Sequence, residues 1–184
     1  DESHNGRITF TADGVIVADV PLVITVSEER KSPRVRRHEK ATCYQTIFCS
    51  YSHKDIDIVR KVERVSHWFD IEYLRDEVKL KAGQEWDEAL LAMIDRADIF
   101  QLFWSEHAAK SQNVRREWEY ALKLVETAAK QDHFIRPMRW VDPPKPPPPD
   151  KLSHLHFAYH PELSAPVEPP PAAVQGTTSA APDA

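Results

Sequence analysis

The chain has 184 residues, a formal charge of −5 and a hydrophobic fraction of 41%, the mixture expected of one globular domain of ordinary size with flanking segments. Its negative charge gives no general attraction to nucleic acid, and no apolar run is long enough to span a bilayer, so neither a nucleic acid nor a membrane is expected as a partner. Fifteen prolines stand against four glycines, and most of the prolines lie beyond residue 136, so the C-terminal end differs in kind from the rest.

Residues 1–28 carry two apolar runs, Ile8 to Phe10 and Val15 to Val26, divided by Asp13-Gly14 and broken by Pro21. They predict short strands with turns between them. Too few to bury a core of their own, they read as the end of an upstream domain or an extra edge on the main one. The chain opens Asp1-Glu2-Ser3-His4, with neither Met nor a signal peptide, which suggests a piece of a longer cytoplasmic protein. Residues 29–42 form a polar linker, in which Arg34, Arg36, Arg37 and Lys40 read as solvated charge.

From 43 to 158 strand and helix alternate. Tyr44 to Cys49 predicts a buried strand, and Ser52 with Asp55 approximates a capping box that starts a helix. Val59, Val62, Val65, Trp68 and Phe69 then recur at helical spacing as one buried stripe. Cys43 and Cys49, placed on one strand roughly 20 Å apart, cannot form a disulfide, and two free thiols suit a reducing compartment. Ile71 to Leu74 predicts a second strand and Arg75 to Gly83 a charged loop. A helix from Glu85 turns Trp86, Leu90, Met93 or Ile94, and Ala97 inward.

Ile99 to Trp104 is almost wholly apolar, as in a strand covered on both faces. A third helix, 111–129, buries Val114, Trp118, Ala121 or Leu122, and Val125. Phe134 to Trp140 predicts a strand interrupted by Arg136 and Pro137, followed by an extended proline run and a short fifth strand within Leu152 to Tyr159. Residues 159–184 are Pro/Ala-rich and read as disordered.

This alternation implies right-handed crossovers and an α/β fold: a doubly wound, mostly parallel five-stranded sheet with helices on both faces. Ligands of such sheets bind beyond the carboxyl ends of the strands, where the loops start at Ser50, Arg75, Ser105 and about Trp140. Tyr51 and Trp104, at strand ends, contact a ligand or close the core; Trp86 contacts a ligand or packs inward; Arg75 contacts a ligand or forms an ion pair. His154 and His156 are the one close histidine pair, too few for zinc, so no metal is expected. A receiver domain would need acidic residues where Cys49-Ser50-Tyr51 stands, and no phosphate-binding glycine loop is present.

Four motifs in order carry a family resemblance. Ile47 to Asp55 reads as hydrophobic-Phe-x-Ser-Tyr-Ser-His-Lys-Asp; Tyr73 to Asp76 leads to Gly83-Gln84-Glu85-Trp86; Ala97 to Ser105 forms a strand closed by serine; and Ser111 precedes Glu117-Trp118-Glu119-Tyr120-Ala121-Leu122. Together they resemble TIR (Toll/interleukin-receptor) domains of the bacterial type, whose fold is flavodoxin-like. The resemblance implies a signalling or immune effector that self-associates as a homo-oligomer, other TIR domains being its partners, under an upstream sensor domain. The family's self-association loop (the BB loop) corresponds to Asp76, Glu77, Val78, Lys79, Leu80, Lys81, Ala82 and Gly83.

Some TIR domains cleave NAD between nicotinamide and ribose, as NAD nucleosidases, with NAD as substrate and no separate cofactor. The resemblance places the catalytic glutamate in the first turn after that loop, which selects Glu85, with Glu88 second. Ser50, Tyr51, Arg75, Trp86, Trp104 and Ser105 are then the substrate-binding candidates. Glu117 matches the glutamate of the family's Trp-x-x-x-Glu pattern, but Asn113 replaces the tryptophan, and an acid inside a helix reads as solvated or capping. A non-catalytic adaptor stays open as the alternative.

Overall fold

In the computed structural model, which describes residues 2–12, 15–26, 42–75 and 88–164, the chain opens as an antiparallel hairpin. Its strands are β1 (Glu2–Ala12) and β2 (Val15–Val26), and the two-residue β3 (Thr42–Cys43) adds beside β2. The alternating part follows as β4 (Thr46–Ser50), α1 (Ile56–Ser66), β5 (Glu72–Arg75), α2 (Glu88–Arg96), β6 (Ile99–Phe103), α3 (Glu106–Lys110), α4 (Gln112–Glu126), β7 (Ile135–Arg139) and β8 (Ala158–Tyr159). The last five strands form one sheet in the order β5-β4-β6-β7-β8, with every pairing parallel. That order is the flavodoxin-like one, and it reverses between β4 and β6.

All five residues of β6 are buried, as its apolar composition predicts for a strand covered on both faces. On one face Phe48, Leu74, Phe100 and Leu102 pack against Leu90 and Ile94 of α2, Ala108 of α3, and Val114, Trp118 and Ala121 of α4. On the other, Ile47, Ile99, Phe103 and Met138 pack against Val59, Val62 and Val65 of α1. The hairpin completes this second face, where Val15, Ile16 and Tyr44 join the same core.

Asp19 of β2 fixes that docking. Buried, it accepts hydrogen bonds from the Tyr44 hydroxyl at 2.7 Å and from Arg136 on β7 at 2.6 Å, with Arg7 at 3.6 Å.

Three expectations change. The apolar stripe of the first helix stops at Val65: a 3-10 turn, His67–Phe69, and Asp70 in the left-handed region (φ 53°) break the helical period. Trp68 is therefore 78% and Phe69 43% exposed. Cys43 and Cys49 do not share a strand, because the chain leaves β3 at Tyr44 and Gln45 before β4 begins; both are free thiols, Cys43 exposed and Cys49 buried. The proline stretch after β7 is bent, with cis peptide bonds before Pro143 and Pro146, where an extended run was expected. Ordered structure continues through the short turn Pro161–Ser164, whose Leu163 is buried. No helix among the described residues is long and apolar enough to cross a membrane.

Candidate functional site

The reversal of strand order places a crevice at the carboxyl ends of β4 and β6. β4 ends at Ser50, which is 0% exposed and donates its hydroxyl to Oε2 of Glu117 on α4 at 2.5 Å. Glu117 is itself only 4% exposed. Its position follows from the start of α4. The Ser111 side chain accepts from the Val114 N–H and caps the helix, so Val114, Glu117, Trp118 and Ala121 fall on one inward face. An acid thus occupies an apolar stripe at the level of the strand ends. A small cleft beside it is lined by Cys49, Tyr51, His53, Ser111, Asn113 and Glu117.

Tyr51, which shares that cleft, is buried, with its ring edge-on to His53 at 5.8 Å. Arg75, at the end of β5, is ion-paired with Glu63 of α1 at 2.8 Å. Burial opposes the charge of Arg75, but Glu63 and the Tyr51 hydroxyl outweigh it and hold the guanidinium above its ordinary pKa. Among the described residues, Glu63 from the preceding helix is thus an ion-pair partner of Arg75.

Ser105 caps α3, accepting from the N–H groups of His107 and Ala108, and donates its hydroxyl to Asp55 at 2.6 Å. It thereby ties the loops after β4 and β6 together. Burial raises the Asp55 carboxyl above the usual range, against the lowering influence of Ser105, His107 and Lys54. Trp104 is buried, donates Nε1–H to the Pro146 carbonyl at 3.0 Å and meets Phe157 edge-on, so it closes the core. Burial also pushes the Cys49 thiol well up, which removes it as a nucleophile.

Ser50, Tyr51, Arg75 and Ser105 all lie at or just past the carboxyl ends of β4, β5 and β6, and of these four Tyr51 lines the small cleft beside Glu117. Ser50 and Trp104 turn their side chains into the protein. Glu85, Trp86 and the loop 76–83 lie outside the described residues, and Glu88 stands exposed in the first turn of α2. Glu117 is the residue whose position differs most from expectation: read as solvated, it is buried and hydrogen-bonded. The Trp-x-x-x-Glu spacing was the one signal that pointed to it.

Two larger cavities lie elsewhere. One of about 680 Å³ sits at the amino ends of the strands, by Tyr44, Asp98 and Phe134; the other, of about 440 Å³, lies between β1 and β7. No group of three or more potential metal ligands occurs among the described residues.

A family model for the TIR domain matches residues 47–165. No curated protein matches the sequence. Among solved structures, the TIR domains in "Structure of the activated Roq1 resistosome directly recognizing the pathogen effector XopQ" are similar at 20% identity and a TM-score of 0.40. The similarity covers 54% of this chain and 60% of that one.

Proposed function

The chain belongs to the TIR domain family, and we propose that it signals by associating with other TIR domains and, once associated, cleaves NAD at the nicotinamide–ribose bond. Nicotinamide leaves; water then bonds to the vacated ribose carbon and loses a proton to give ADP-ribose, or a nucleophilic atom of the same molecule bonds there instead to give a cyclic isomer. An upstream sensor domain and a role in bacterial immunity complete the reading.

The observation that supports it best is the Glu117 carboxylate, held by Ser50 at the reversal of strand order. Nicotinamide leaves as a neutral molecule from a cationic pyridinium, so its departure needs no general acid. Positive charge then develops on the ribose as an oxocarbenium ion, and a fixed carboxylate in a low-dielectric crevice stabilises it or orients the ribose hydroxyls. Arg75, kept charged beside Tyr51, offers its guanidinium to the pyrophosphate. Glu85 and Glu88 remain the carboxylates that the sequence favours for the same task.

Nicotinamide release by the purified protein, at low and high protein concentration, tests the reading. Glu117→Gln is expected to lower the rate about 10²- to 10³-fold, while Glu85→Gln and Glu88→Gln retain it. Loss with Glu85→Gln alone would move the site to the helix after the loop. An assembled protein that releases no nicotinamide would leave the adaptor. The same burial of Glu117 favours that second reading, since a single copy offers little of its carboxylate to a ligand.

A further inference from the structure

The short last strand leaves part of the sheet edge open. β8 pairs with β7 only at Met138 and Arg139, so among the described residues no strand lies on that edge beside Ile135, Arg136 and Pro137. The cavity of about 440 Å³ lies there, lined by Thr9, Thr11 and Ile16 of the hairpin and by His154, Leu155 and His156 ahead of β8. Its volume is that of a small-molecule site.

Two kinds of wall meet in it. Ile16, Pro137, Met138 and Leu155 are apolar, while Arg136, His133, His154, His156 and His160 each carry at least one N–H donor. Asp132 is the only carboxylate among the described residues that line it, and Glu162, bonded to His160 Nδ1 at 2.8 Å, does not. The histidines do not gather as metal ligands, since no group of three or more such residues occurs among those described.

Arg136 is the anchor. Its Nη2 is tied to Asp19 at 2.6 Å, but its buried Nε has no hydrogen-bond partner among the described residues. A buried donor left unpaired is costly, so an acceptor in the cavity is favoured. His133 reports the local field: burial lowers its pKa, and Arg7 and Arg136 lower it further by more than Asp19 and Asp132 raise it. One guanidinium, already shared with Asp19, suits a single negative charge.

We propose that this cavity binds a small monocarboxylate, whose acid group meets Arg136 and the histidines and whose apolar body lies on Pro137, Met138 and Leu155. Such a ligand touches hairpin and sheet together, so it also strengthens their docking. None of Ser50, Tyr51, Arg75, Ser105 and Glu117 lines the cavity, and the inference stands apart from the NAD reading.

Methyl NMR of protein labelled at methionine tests it. The chain has two methionines: Met138 lines the cavity, and Met93 of α2 packs against the other face of the sheet. Naphthoate is expected to move the Met138 signal to saturation and leave that of Met93 in place. Its uncharged amide is expected to bind about tenfold more weakly or worse. Arg136→Gln is expected to abolish the response, with the Met93 signal reporting that the fold persists. The paired variant His154→Glu, His156→Glu, at exposed positions, is expected to weaken naphthoate about tenfold by like-charge repulsion without touching the core. A Met138 signal that moves equally with acid and amide, or stays still at millimolar naphthoate, overturns the proposal. Undiminished binding in the His154→Glu, His156→Glu variant does so too.

Discussion

Asp19 shows how one side chain joins two parts of the chain. Burial alone would raise its pKa, but hydrogen bonds from Thr9 and Tyr44 and the charges of Arg136 and Arg7 outweigh burial and hold it below the ordinary 3.8. A carboxyl whose pKa is lower folded than unfolded stabilises the fold above the unfolded value, and that stability is lost as pH falls through the folded value. Denaturant midpoints should therefore fall below about pH 4, and Asp19→Asn should flatten that acid limb. Asp55, raised by burial, works in the opposite sense: its contribution is full at low pH and declines as pH rises through its folded pKa. The network around Asp19 was not legible in the sequence, because Arg136 lies 117 residues away. Glu117 was missed for the same reason. An acid at an inward helical position looks solvated until its donor, Ser50, 67 residues earlier, is known.

Helices and strands were more legible than contacts, because their patterns are local. The apolar run of β6 and the inward stripe of α4 stand where composition and spacing place them. Boundaries were harder wherever a residue adopts a conformation its type does not announce. Asp70 ends the α1 region in the left-handed conformation with no glycine to mark it, so the stripe was extended to Trp68 and Phe69. Ala128 does the same after α4 at φ 56°, just past the C-cap Thr127. Glycine carries no Cβ penalty in that region, and helices commonly end with glycine at this position. Ala128→Gly should raise stability by roughly 1 kcal/mol, read from the denaturant midpoint at an unchanged slope. If stability falls instead, the left-handed conformation at this position is wrong.

At the scale of the molecule, the doubly wound sheet was legible from alternation alone, but the cover of its second face was not. The hairpin supplies Val15 and Ile16 to that face beside α1, and nothing in residues 1–28 taken by themselves specifies the surface they meet. Removing residues 1–26 should uncover apolar side chains around Met138 and leave Arg136 without its Asp19 partner. The shortened protein is expected to unfold at a lower temperature and to bind a hydrophobic dye, as thermal melts and dye fluorescence would register. An unchanged melting temperature would mean that the hairpin contributes no stability to the sheet.

The clasp between Asp19 and Arg136 also orders events in time. A ribosome makes the hairpin before the sheet on which it docks, and the cation that satisfies its inner face arrives 117 residues later, roughly 6–23 s at ordinary rates of synthesis. Through that interval β1 and β2 exist without the surface that anchors them. The earliest part of this domain to be made therefore settles only after β7 has followed it out.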